Sequence, residues 1–212
     1  MDVIEAMKTT GTCRYFRPDP VPDDVLLTAF EAARFAPQGG NRQPVRWVVV
    51  RDKDRKRRLQ EWYLGPWKAY LDGIGAGDLA VGALPKTVAD ADHFAEHLHE
   101  VPAIVVLCAE LDGLHPTDAD LGRLSVVGGG SIYPTAQNFC LALRAQGVAS
   151  AMTTLLCHSE PQVKELLGIP DGVITAAHIA VGYPERGFPA KLSRRPVEET
   201  VFDERYGAPF TA

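Results

Sequence analysis

Apolar positions recur with helical spacing in some stretches of this chain and run unbroken in others. Val3, Ile4 and Met7 follow Asp2, which has capping-box spacing with Glu5, so a first helix is predicted to end near Thr10 with that stripe buried. Pro18, Pro20 and Pro22 predict an extended crossing, because proline fixes φ and biases its predecessor away from helix. Asp23 or Asp24 is placed to cap a second helix, with Leu26, Ala29, Phe30 and Ala33 on one face. Trp47, Val48, Val49 and Val50 read as a strand buried on both faces.

Residues 54–100 are helical in pattern, broken by a Gly-rich stretch at 71–77. Trp62, Tyr63, Trp67 and Tyr70 cluster just before that break, in what reads as either a mobile helical cover or a core helix with a loop; packing is the expectation for the aromatics. A second buried strand is predicted at 103–108. Gly128, Gly129, Gly130 and Ser131 open a long helix with Ile132, Ala136, Phe139 and Leu143 on one face and Gly147 at its C-terminal cap. Ser159 and Gln162 form a capping box for a short helix ending at Gly168, and residues 173–182 are the last strand. From Tyr183 onward, Pro184, Pro189 and Pro196 interrupt a stretch of little periodicity, which reads as an extended arm over 184–212. Strands separated by helices predict one α+β or α/β domain spanning 1–212.

Composition narrows the function classes. Hydrophobic residues at 46% and charged residues at 23% of 212 are ordinary for a globular protein. Net charge of −5 offers no basic footprint for nucleic acid, and the run at 51–58 mixes signs as a solvated helix start does. No stretch has the length of a membrane span, and the acidic amphipathic start does not resemble a signal peptide. Cys13, Cys108, Cys140 and Cys157 lie far apart with no Cys-x-x-Cys spacing, so a reduced cytoplasmic protein is expected.

Several short motifs carry little. His93, Glu96 and His97 match an inverted zinc-protease pattern but lack a recognisable third ligand. Gly75, Gly77 and Ala80 fit a loose dinucleotide pattern that follows a helix rather than a strand. No nucleophile elbow is present.

The most informative segment spans 36–44, between the second helix and the first strand. Gln38, Asn41 and Gln43 supply amide donors and acceptors that suit a planar heterocycle rich in carbonyls and ring nitrogens, although Pro37, Pro44 and the glycines also make an ordinary turn. Two other segments complete a pattern: Thr10 to Phe16, and Lys191 to Val197. Arg14 and Arg194 could converge on one phosphate, since guanidinium forks bind its oxygens in pairs.

In this order the segments resemble the FMN-dependent nitroreductase superfamily, which includes nitroreductases, flavin reductases and iodotyrosine deiodinase-like proteins, over nearly the whole chain. Asp19, Pro20, Val21 and Pro22 match its Pro-x-Pro-Val-Pro run, and 36–44 match its Ala-Pro-Ser-x-x-Asn-x-Gln-Pro run. Residues 149–155 look like the loop beside the flavin ring, and Arg194, Arg195 and Pro196 match the C-terminal phosphate clamp. The resemblance implies a three-layer α/β/α sandwich with a mixed, mainly antiparallel sheet, a long core helix at a homodimer interface, and a C-terminal arm laid on the partner. It implies FMN held by Thr12, Cys13, Arg14, Arg194 and Arg195, with Pro37, Gln38, Asn41 and Gln43 lining the ring partly across the subunit boundary. Thr153, Thr154 and Leu155 would place a donor near flavin N5, and no side chain need act as a general base. NADH or NADPH would be the reductant and a nitroaromatic, quinone or related small molecule the acceptor; a flavin- or deazaflavin-binding dimer with little turnover is the alternative. Thr10 and Gly11 stand where the family has basic residues, and Thr12 and Gln38 replace serines. Each charge-assisted hydrogen bond lost at a phosphate is worth about 1.5–3 kcal/mol.

Overall fold

The computed structural model describes residues 1–79 and 83–210. Its centre is a four-stranded sheet in the order β1-β2-β4-β3, formed by Val45–Val50, Ala103–Glu110, Ala149–Thr153 and Val173–Gly182 numbered along the chain. All three ladders among the described residues are antiparallel. The β2 and β4 strands are central and buried on both faces, as their largely apolar sequences require, with Thr175 and His178 the buried polar exceptions on β4.

Of the α-helices among the described residues, five divide between the two faces. Lys53–Gly73 (α3), Lys86–Glu96 (α4) and Glu160–Leu167 (α6) bury Leu59, Tyr63, Trp67, Phe94 and Val163 against Ile104, Val106 and Ala180. On the other face, Asp23–Ala33 (α2) and Tyr133–Ala145 (α5) bury Leu26, Ala29, Phe139 and Leu143 against Val105, Leu107 and Ile179. This is the expected α/β/α sandwich. Each fully buried side chain of that size contributes roughly 1.5–3 kcal/mol. Phe30, Trp47 and Phe139 pack ring to ring at 4.8–5.4 Å and tie α2, β1 and α5 together.

Several local expectations are corrected. The first helix, Val3–Thr9 (α1), is capped by the Asp2 carboxylate, which accepts from the N–H groups of Ile4 and Glu5. Its buried face is nevertheless Ala6 and Thr9, while Val3, Ile4 and Met7 are at least half exposed. Neither Asp23 nor Asp24 caps α2: Pro22 holds that position, and both aspartates lie in the first turn, where Asp23 pairs with Arg51. The β1 strand is not buried on both faces. It lies at the sheet edge, and only Val50 is fully enclosed. Residues 149–153 are an edge strand, β3, rather than a loop. The glycines at 128–130 sit in a turn ahead of α5, which starts at Tyr133. Ser159 makes no side-chain cap, because the 3-10 turn Leu155–Ser159 runs straight into α6.

Helices α3 and α4 are clasped to each other. Gln60 donates to the carbonyls of Ala95 and Glu96, and the buried Asp92 accepts from Trp67 Nε1 at 2.8 Å and Lys68 Nζ at 3.0 Å. Of the clustered aromatics, Tyr63 and Trp67 are core, Trp62 is half-buried and Tyr70 is exposed. After β4 the chain turns back on its own start: Arg17 N–H donates to Tyr183 O at 2.9 Å, and Glu185 N–H donates to Tyr15 O at 3.0 Å. Farther along, Phe202 and Pro209 bridge, so that part of the arm curls on itself.

Candidate functional site

The segment that follows α1 runs beside the exposed edge of β3, where Cys13 N–H donates to Ser150 O at 2.9 Å. Gly11, Thr12, Cys13, Arg14 and Tyr15 line a cavity of about 380 Å³ that is closed on its other sides by α4 and the returning tail. Thr12 is exposed, and the Cys13 thiol donates to Tyr15 O at 3.1 Å. Burial pushes that thiol up from its ordinary value, which keeps it protonated.

Arg14 turns inward, its guanidinium 5.1 Å from the centre of the Phe94 ring. Burial lowers it from the ordinary arginine value, and the nearby Tyr63, Cys13 and Asp90 oppose that shift. Burial raises the Tyr63 phenol, against opposing effects of the Thr153 side chain and Arg14. Arg14, Tyr63 and Thr153 therefore lie close together, with Arg14 against the Phe94 ring. Thr153 Oγ1 also accepts from Leu155 N–H at 3.3 Å, fixing the turn out of β3. Thr154 lies beyond, on a different concavity of about 610 Å³ with Tyr133 and Cys157.

The 36–44 segment builds a separate cavity. Pro37, Gln38, Gly39, Gly40 and Arg42 line a space of about 600 Å³ together with Leu114, His115 and Ser131, and no residue is common to this cavity and the one at Arg14. Its backbone is unusual: Gly40, Asn41 and Gln43 all have φ between 52° and 58°. For the two non-glycine residues such geometry costs on the order of 1 kcal/mol or more each, a pattern found at ligand clamps. Gln43 Nε2 donates to Asn41 Oδ1 at 3.2 Å, and Gly39 N–H to Ser131 Oγ at 3.0 Å, which holds the turn. Gln38 Oε1 is buried there with no donor. A buried amide oxygen without a partner costs free energy, and an incoming N–H would relieve it.

The single chain thus does not bring all the predicted residues together. Arg14 and Thr153 share one neighbourhood; Pro37, Gln38, Asn41 and Gln43 make another. Arg194 and Arg195 are exposed and line neither cavity, and Arg194 donates only to Ser193 O, at 2.7 Å. Sequence reasoning placed Tyr63 among the packing aromatics and missed Lys86, Asp90 and Arg186. Lys86 and Asp90 look like an ordinary i, i+4 pair on a helix face, and Arg186 sits in a stretch without periodicity, so nothing local marked them.

Two motifs resolve otherwise. The His93 and His97 rings meet tilted at 4.2 Å, Tyr15 stacks on His93 at 4.2 Å, and Glu96 pairs with Lys68, so the three residues do not converge. Of the glycine motif, Ala80 lies outside the described residues; Gly75 and Gly77 follow helix α3, not a strand.

Known proteins share this fold. Across 95% of both chains, the sequence is 30% identical to an NADH dehydrogenase of Thermus thermophilus. It is 27% identical to iodotyrosine deiodinase of Drosophila melanogaster, over 87% of this chain and 63% of the relative. The fold superposes on the NADPH:FMN oxidoreductase of Vibrio harveyi complexed with NAD+ with a TM-score of 0.70 and 19% identity, covering 96% of this chain and 77% of that one. A BluB-like flavoprotein of Clostridium difficile gives a TM-score of 0.70 and 19% identity, covering 97% and 100%. The Nitroreductase family profile matches residues 7–183, and this chain belongs to that family of oxidoreductases.

Proposed function

We propose that this chain is an FMN-dependent NAD(P)H oxidoreductase that works as a homodimer, with each flavin site assembled from two subunits. The observation that carries the reading is the pair of separate, complementary cavities. One is cationic, with Arg14, Lys86 and Arg186 on its walls, and suits a phosphate. The other holds the unpartnered Gln38 carbonyl, on a turn whose backbone is strained at Asn41 and Gln43, and suits the N–H edge of a flavin ring. The residues present therefore fit FMN.

In this reading Thr12, Cys13 and Arg14 hold the phosphate and ribityl end, with Arg194 and Arg195 contributed by the arm. Thr153, Thr154 and Leu155 border the ring on the same subunit, and the second subunit's copy of the 36–44 segment covers its other edge. Bound FMN would supply hydride transfer, accepting from NADH or NADPH and passing electrons to a nitroaromatic, quinone or related small acceptor. Arg14, held at Phe94 and close to Tyr63, keeps positive charge at the phosphate end of the site. The buried Tyr63 and Phe94 keep water from the inner side of Arg14. The names of the Thermus and Vibrio proteins support a nicotinamide donor, and the exposed Val3, Ile4 and Met7 supply an apolar face for a second copy.

The test is a visible spectrum. Protein reconstituted with FMN should show oxidised-flavin bands that bleach with NADH or NADPH and return when a quinone or nitroaromatic is added. Protein that binds no FMN overturns the reading, and protein whose bound FMN never bleaches is a flavin-binding dimer without turnover.

A further inference from the structure

The N-terminal segment meets the returning tail with no basic side chain at positions 10 and 11. Thr10 Oγ1 donates to Ala6 O at 2.6 Å and so is committed to capping α1. At Gly11 even a Cβ would lie 3.1 Å from Leu192 Cδ2 and Pro189 Cγ. The tail occupies the space that a longer side chain would need. Positive charge at this cavity must therefore come from elsewhere in the chain.

It comes from two elements distant in sequence. Lys86, in the first turn of α4, and Arg186, in the tail, both line the cavity with Thr12 and Arg14. Asp90 sits between them. Its carboxylate lies 2.6 Å from Lys86 Nζ and 3.6 Å from Arg186 Nη1, and it accepts from Tyr15 OH at 2.8 Å. The Arg186 guanidinium lies over the Tyr15 ring at 3.3 Å, so the same tyrosine carries the arginine and links it to the segment holding Arg14. Both basic side chains are more than half exposed, at 78% and 56%, and can turn toward an anion. Beneath Phe188, which also lines the cavity, Arg144 is stacked at 3.8 Å with a buried Nε that has no partner. Against these cations stand Asp90 and the nearby Glu185, in a chain whose net charge is −5. The cavity is a local reversal of the molecule's charge.

We propose that Arg186 and Lys86 meet the dianionic phosphate of FMN in this chain, replacing the basic residues absent at positions 10 and 11. Asp90 is the positioning residue that holds them at the cavity mouth. This rests on the proposed function, since it assigns the charge of the same site. A phosphate between the two side chains would exchange a shared carboxylate for a pair of charge-assisted hydrogen bonds.

The experiment compares equilibrium binding of FMN, riboflavin and inorganic phosphate, followed by quenching of flavin fluorescence at fixed low salt. Lys86→Gln and Arg186→Gln should each weaken FMN by about tenfold, the loss of one charged hydrogen bond. Riboflavin, which lacks the phosphate, should bind all variants equally, and this also reports that they are folded. Inorganic phosphate should displace FMN from the wild type but compete poorly in the double variant. Asp90→Asn, which releases both cations from the carboxylate that holds them, should weaken FMN and leave riboflavin unchanged; FMN bound as tightly as by the wild type would overturn the positioning role. Unchanged FMN affinity in the double variant overturns the proposal. Equal weakening of FMN and riboflavin also overturns it, because the residues would then shape the cavity wall rather than meet the phosphate. A wild-type protein that binds neither flavin removes the proposed function itself, and does so before any variant is made.

Discussion

His178 is the most constrained ionisable side chain in the sheet. It lies on β4 between Val106 of β2 and Thr153 of β3, is 1% exposed, and has no hydrogen-bond partner for either ring nitrogen. Burial pushes it down from the ordinary imidazole value of 6.5 to about 4. The folded form therefore refuses a proton that the unfolded chain accepts. Stability should be fully present above pH 6.5 and fall as the pH drops toward 4, by roughly 3 kcal/mol across that window. Urea unfolding at a series of pH values measures the slope. His178→Leu, close in volume and without orphaned polar atoms, should flatten this part of the slope and leave stability at neutral pH within about 1 kcal/mol. A variant that keeps the whole slope would move its origin to other groups. Beside Thr153, the histidine stays neutral and adds no charge to the candidate site.

Between β2 and α5 the chain is held by one carboxylate. Asp118 accepts from Ser125 Oγ at 2.6 Å, Arg123 Nη1 at 2.8 Å and the N–H groups of Val126 and Val127, which hold its carboxyl down at about 2. Val127 and Gly128, positioned by this closure, line the cavity at Gln38. Asp118→Ala should speed amide exchange across the 117–130 loop and leave β2 protected; unchanged exchange in the loop would show that packing alone orders it. Elements differ in how far sequence reveals them. The bounds of β4 and α6 are legible because a largely apolar run and a left-handed Gly168 mark them locally. β3 was not, because its small residues, Ala149, Ser150 and Ala151, resemble a loop until β4 pairs with them. The edge position of β1 is likewise a matter of partners, invisible in Trp47 to Val50. In the site, Arg14 and Gln38 carry local motifs, whereas Lys86 and Arg186 acquire meaning only where α4 and the tail converge.

On the scale of the molecule, the separation of the two cavities makes a prediction about assembly. The Arg14 cavity borders Pro184, just past the end of β4, while the concavity of Thr154 borders Ile174 to Ala176 near its start, and it shares Leu114 and Gly128 with the Gln38 cavity. At about 3.3 Å per strand residue these ends stand about 25 Å apart. If each site draws on both subunits, co-expressed Arg14→Ala and Gln38→Ala chains should form mixed dimers with one intact site. Random pairing then restores about a quarter of wild-type turnover from two nearly inactive parents. Turnover no higher than that of either parent would place a complete site within one chain. The backbone pairing of Tyr15 and Arg17 with Tyr183 and Glu185 has a further consequence, in time rather than space. During synthesis the ribosome emits the first wall of the cavity early, but the strand that pairs with it is among the last segments to emerge. A nascent chain can have helices and part of its sheet while this corner is still open, so the cavity closes only after residue 185 has left the ribosome.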